Sequence, residues 1–154
     1  PEAFLFIFIV SNLIIISFID IDLMLLPLLM ILLSLVALLI YYLFHLDAAL
    51  SAIWGIIVGV SYLGGVYLMT KGMFSKETMG MGDLQLIAVI GAWTGPLHTA
   101  AIIFIGSLVT LAAFGIVRLK TGTMENRPLP FGPFLAFTAI AMYILNPDWI
   151  AILR

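Results

Sequence analysis

Charge is scarce in this sequence. Of 154 residues, six are Lys or Arg and eight are Asp or Glu, 9% in all, against about 25% in an ordinary soluble domain. So few polar residues cannot coat a water-facing surface. That excludes a soluble enzyme, a nucleic-acid binder with a basic face and a disordered linker. Cysteine is absent, which excludes disulfides, thiolate metal sites and Cys nucleophiles. His45 and His98 are the two histidines, too few for a His-rich metal site, so neither metal nor cofactor is expected in this chain. The net charge of −2 calls for no acidic or basic partner. Apolar and polar residues do not alternate, which excludes a transmembrane β-barrel.

What remains is apolar. Hydrophobic residues make up 64% of the chain and the mean hydropathy is +1.28, so the solvent is a bilayer. A helix crosses its hydrocarbon core with about 20 residues. Charge-free stretches at Ala3–Ile19, Leu23–Leu46 and Ala48–Thr70 meet that need. Leu84–Val117 runs 34 residues without a charge and would be about 51 Å long as one helix. Gly91-Ala92-Trp93-Thr94-Gly95-Pro96 interrupts it with a turn signal, which predicts two helices, Asp83–Thr94 and Leu97–Val117. Pro128–Asn146 supplies the last span. The expectation is an all-α polytopic membrane protein of about six helices, one membrane-embedded domain over 1–154. Pro1 in place of Met leads us to expect a piece of a longer chain.

Lys and Arg orient the spans, because cytoplasmic loops carry the excess. With helices alternating in direction, the Asp20–Asp22 turn, the loop Lys71–Gly82 and the loop Arg118–Arg127 share one side. Lys71, Lys76, Arg118, Lys120 and Arg127 all lie there, so this side is assigned to the cytoplasm. The tail Pro147–Arg154, with Trp149, is expected along the opposite interface.

Three acidic residues stand where acid is costly. Asp20 and Asp22 close the first span, and Asp83 opens the fourth after Met79-Gly80-Met81-Gly82. A charge in a membrane helix costs about 2.5–3.5 kcal/mol at the bilayer centre. Singly, Asp20 and Asp22 read equally well as a helix exit and Asp83 as an N-cap. Together they lie at one depth, on one side, on different helices. Two carboxylates brought face to face share a proton, so one can activate water while the other protonates a leaving amine. Gly80 and Gly82 would leave the backbone bare before Asp83, open to positive φ or to close approach of a substrate strand; a flexible loop end is the plainer alternative. The scattered methionines, Met24 among them, need no role beyond filling apolar gaps.

Phe18-Ile19-Asp20-Ile21-Asp22 with Leu26-Pro27 resembles the first aspartate motif of type IV prepilin peptidases. Lys76-Glu77-Thr78-Met79-Gly80-Met81-Gly82-Asp83 is similar to their second, Gly-x-Gly-Asp motif, which presenilin-type intramembrane proteases share. Pro128-Leu129-Pro130-Phe131-Gly132-Pro133-Phe134 resembles their C-terminal motif. The order is right, and the two aspartates stand 63 residues apart. The resemblance implies that Asp20 and Asp83 are catalytic and Asp22 accessory, a choice that spacing leaves open. Two positions depart from the family pattern: Leu28 follows the proline where Asp or Asn is frequent, and Gln85 stands where Lys is frequent. The family's cytosolic segment, with a four-Cys zinc site linked to methylation of the product, has no counterpart here.

The resemblance further implies an aspartic endopeptidase of the cytoplasmic (inner) membrane that removes the leader of type IV prepilins or type II secretion pseudopilins at the cytoplasmic face. Prepilin or pseudopilin and the lipid bilayer are then the partners, and nucleic acid is not. Glu77 is placed to attract a basic leader, or else pairs with Lys76 as a solvated loop charge. Pro130, Phe131, Gly132 and Pro133 either line the cleft or simply open a helix. From other classes, a proton-coupled transporter or an inactive assembly subunit could use the same acids. Transporters, however, hold their sites near the midplane between repeats, and no repeat is visible here.

Overall fold

The computed structural model describes residues 2–73, 80–121 and 130–145. Six helices account for nearly all of them: α1 (Glu2–Leu23), α2 (Leu28–Phe44), α3 (Leu46–Met73), α4 (Met81–Thr94), α5 (Pro96–Thr121) and α6 (Gly132–Leu145). Three of the six, α1, α3 and α5, are long and apolar enough to cross a membrane; α2, α4 and α6 are shorter apolar helices. Their outer faces carry residues such as Phe4, Leu29, Leu32, Leu68, Phe104 and Leu111, all exposed. A surface this apolar has no place in water, and the chain is a membrane protein.

The element boundaries follow from local chemistry. Pro27 precedes α2 with φ −69° and ψ 109°, so the second helix begins at Leu28 and not at Leu23. Asp20 and Asp22 lie inside α1, which runs on to Leu23; the expected Asp20–Asp22 turn lies one step later. Met24, with φ 51°, makes the turn and is the one non-glycine residue at positive φ among those described. Its N–H donates to the Asp20 carbonyl at 2.9 Å. At the other predicted break, Gly95 alone separates α4 from α5, at φ 78°, a backbone that glycine adopts without a steric penalty. Pro96 opens the next helix, where its missing N–H costs nothing.

α4 is the axis of the bundle. α1, α2, α3, α5 and α6 form a closed ring, each touching the next, and α4 packs inside it. Beyond Met81 no residue of α4 is exposed, as befits a helix apolar on every face. Glycine sets its closest contact. The backbones of Gly55 on α3 and Gly91 on α4 meet directly: a Cβ on Gly91 would lie 2.5 Å from the Gly55 carbonyl oxygen. Gly59 faces Ile87 and Gly64 faces Leu84, so α3 and α4 run antiparallel. Gly55-x-x-x-Gly59 and Gly91-x-x-x-Gly95 are the spacing by which membrane helices bring their backbones together.

Lipid offers no hydrogen bonds, so polar side chains must find partners inside the protein. Asn12, Ser17, Ser34, Thr94, Ser107, Thr110 and Thr138 each donate to the carbonyl one turn earlier on their own helix. At the end away from the acids, Tyr42 donates its hydroxyl to the Ala92 carbonyl at 2.7 Å, satisfying one of the free carbonyls of the last turn of α4. Phe6, Tyr143 and Trp93 stack there, with ring centroids 4.5 and 4.8 Å apart, tying α1, α6 and α4. His98 is buried, with Nδ1 3.1 Å from the Thr94 carbonyl.

Candidate active site

Asp20 reaches the interior because of its register on α1. Ile9, Asn12, Leu13, Ile16 and Asp20 are all buried, and spacings of three and four residues put them on one face. Asp22, two residues on, turns to the opposite side and is exposed. Asp20 keeps only 6% of its surface exposed and Asp83 8%. The choice between Asp20 and Asp22, which spacing alone leaves open, thus has a structural counterpart: one carboxylate of the pair is inside.

Asp83 lies in the first turn of α4 and is not its N-cap. Gly80 occupies the cap, without a side-chain hydrogen bond and with φ −73° and ψ 143°, and the Asp83 N–H donates to the Gly80 carbonyl at 3.2 Å. Asp83 is thus not the N-cap residue itself; it stands at the third helical position, where its carboxylate takes a hydrogen bond from the Gly80 backbone. The positive φ expected of the glycine pair is also absent, since Gly80 is extended and Gly82 helical. Gly82 has another use. A Cβ there would lie 2.5, 2.9 and 3.0 Å from three side-chain atoms of Leu26, so its bare backbone receives Leu26 from the α1–α2 turn. Leu26 joins the first motif to the second, a role the sequence reading missed.

The third motif arrives from α6. Gly132, the first residue of that helix, is buried. A Cβ on it would lie 2.8 Å from Asp20 Oδ2 and 3.4 Å from Asp83 Oδ1, with Leu86 Cδ2 at 3.3 Å. The two carboxylates therefore converge on one point from α1 and α4, over the start of α6. Asp20 Oδ2 is buried and has no hydrogen-bond partner among the described residues. Pro130, Phe131 and Pro133 are half-buried beside Gly132, and Leu135 donates its N–H to the Phe131 carbonyl at 3.2 Å, closing the first turn. Glu77, Lys76, Lys120, Glu125, Arg127, Pro128, Leu129 and the tail Pro147–Arg154 lie outside the residues whose side chains are described. Among the described residues no cluster of His, Asp and Glu could hold a metal ion.

The fold is that of a helical membrane protein that brings two buried carboxylates together at one end of its bundle. Residues 7–116 match the type IV leader peptidase family, and the chain belongs to that family. It is 39% identical over 139 residues to a prepilin leader peptidase/N-methyltransferase of Stutzerimonas stutzeri, covering 89% of this chain and 45% of the relative. A protein of the same description from Pseudomonas aeruginosa is 37% identical over 112 residues, 71% of this chain and 35% of its own length. A leader peptidase HopD of Salmonella typhimurium is 32% identical over 87 residues, 56% of each. The chain thus spans less than half the length of the first two. No solved structure matches it.

Proposed function

We propose that the protein is an aspartic endopeptidase that cleaves the leader from type IV prepilins or type II secretion pseudopilins, with Asp20 and Asp83 as the catalytic pair. The observation that carries this reading is the convergence of two buried carboxylates, from separate helices, within 3.4 Å of one point. The names of the relatives support the substrate class. The pair would hold one proton between two acids. The ionised carboxylate takes a proton from water as the water oxygen bonds to the scissile carbonyl carbon; the protonated one hydrogen-bonds the carbonyl oxygen. The amide C–N bond then breaks as the nitrogen receives a proton from the pair. No residue of this chain is asked to supply a metal.

The Lys and Arg bias supports an inner-membrane location with this end toward the cytoplasm, where a substrate with a basic leader and an apolar helix would present its junction. A transporter reading gains nothing from acids gathered at one end of the bundle.

Asp20→Asn and Asp83→Asn should each lower cleavage of a co-expressed prepilin by about 100-fold or more, with the protein still in the membrane. Normal processing by either variant would overturn the assignment. Sequencing the product's N-terminus separates cleavage at the membrane edge from cleavage inside the substrate span.

A further inference from the structure

We infer that Gly132 is a positioning residue: the absent side chain at the head of α6 is what lets the two carboxylates approach each other. The inference rests on the catalytic pair proposed above and concerns a residue that takes no part in the chemistry. Three observations meet at this position. A Cβ on Gly132 would enter the space between Asp20 Oδ2, at 2.8 Å, and Asp83 Oδ1, at 3.4 Å. The first distance is one that real Cβ atoms do not show, so a side chain there forces something to move.

The surroundings decide what moves. Gly132 is buried, and its chain neighbours Phe131 and Pro133 fix the entry into α6, since proline locks its own φ and restrains the residue before it. Leu86 Cδ2, 3.3 Å from the same point, closes another side, and Leu86 is fully buried. The backbone of α6 cannot withdraw easily, because Leu135, Ala136 and Ala139 are buried in the core. The group free to shift is the Asp20 carboxylate, whose Oδ2 has no hydrogen-bond partner among the described residues to hold it. A methyl at position 132 therefore acts as a wedge between the acids. The native glycine leaves the space beside Asp20 Oδ2 free of side-chain atoms from α6. That leaves the oxygen available to the reaction.

The consequence is specific to catalysis. Misplacing a reacting group by about 1 Å costs on the order of 100-fold in rate, and separating two acids weakens the coupling that lets them hold one proton over a range of pH. A substrate's apolar helix would make most of its contacts along the bundle, away from position 132, so kcat should respond more than KM.

The test is Gly132→Ala in the purified protein, assayed on a prepilin peptide over a range of pH, beside Gly115→Ala as control, because a Cβ on Gly115 meets nothing within 4 Å. We expect kcat for Gly132→Ala to fall about 100-fold with KM within about twofold, a narrower bell in the pH–rate profile, and thermal unfolding close to that of Gly115→Ala. Gly132→Ser should lose at least as much. Native kcat and an unchanged pH profile for Gly132→Ala would overturn the inference while leaving the pair intact, provided Asp20→Asn and Asp83→Asn are inactive. If those two variants retain activity, it is the catalytic assignment that fails. A fall in kcat accompanied by an equal loss of folded protein, with the pH profile unmoved, would reduce Gly132 to a packing residue and likewise overturn the inference.

Discussion

At one end of the bundle close contacts predominate. Gly55 and Gly91 press backbone against backbone, Tyr42 satisfies the Ala92 carbonyl, Thr94 and Thr99 hydroxyls lie 3.3 Å apart, and Phe6, Trp93 and Tyr143 stack across three helices. At the other end Asp20 and Asp83 are buried side by side, Asp20 Oδ2 lacks a partner, and Met24 holds a left-handed backbone, which costs a non-glycine residue roughly 1–2 kcal/mol. Unsatisfied polar groups and strained backbone gather at functional sites, and stability must then come from elsewhere in the fold. Here it comes from the far end. The same helices serve both purposes, locked at their distal turns and left expensive at their proximal ones.

Substitutions at the two ends should separate stability from activity. The largest stability effect is expected from Gly91→Ala. Its Cβ would meet the Gly55 carbonyl at 2.5 Å and the Ile56 nitrogen at 3.0 Å, backbone atoms that cannot turn aside. A loss of about 3 kcal/mol, the upper part of the range for overpacking, is expected in a reversible unfolding assay in detergent or bicelles. At the site end, the three atoms nearest a Cβ on Gly82 all belong to Leu26; Cδ1 can rotate away but Cβ, at 2.9 Å, cannot, so about 2 kcal/mol is expected together with a clear loss of cleavage. Adding Leu26→Ala should restore part of that cleavage; no restoration would show that the Leu26 contact does not align the two motifs.

Tyr42→Phe removes one hydrogen bond and leaves the ring, so a loss of about 0.6 kcal/mol, the average for membrane-helix hydrogen bonds, is expected with cleavage intact. A tenfold loss of activity from this change would end the division of labour between the ends. The smallest effect is expected from Asp22→Asn. Asp22 is exposed two residues from a buried neighbour, so both stability and cleavage should stay near native; complete loss of cleavage would shift the catalytic assignment from Asp20 to Asp22.

Much of this architecture was legible in the sequence, for physical reasons. Charge is so costly in lipid that its absence outlines the spans, and the six expected helices correspond to the six observed. Their faces were not legible. In α1 nearly every residue is apolar, so period carries no information, and the buried stripe through Ile9, Leu13 and Ile16 can be traced only by its polar members, Asn12 and Asp20. The two aspartates were found because acids stand out against such a background. Gly132 was noticed only as part of a motif, because a glycine's function lies in what it makes room for, and the neighbours it admits are 112 and 49 residues away in the chain. The Leu26–Gly82 contact was missed for the same reason, and the φ of Met24 because nothing about methionine announces a left-handed turn.

The encirclement of α4 bears on how the chain is made. A helix with no residue more than partly exposed beyond Met81, and with a buried acid in its first turn, is stable only once its ring is present. Synthesis runs from the N-terminus, so α1, α2 and α3 are available before α4, while α5 and α6 follow and close the circle. Until α6 is in place, Asp83 faces an open side and Gly132 has not yet arrived between the acids. The order of biogenesis would then leave the acids open on one side until α6 inserts, a natural delay between entering the membrane and enclosing the site.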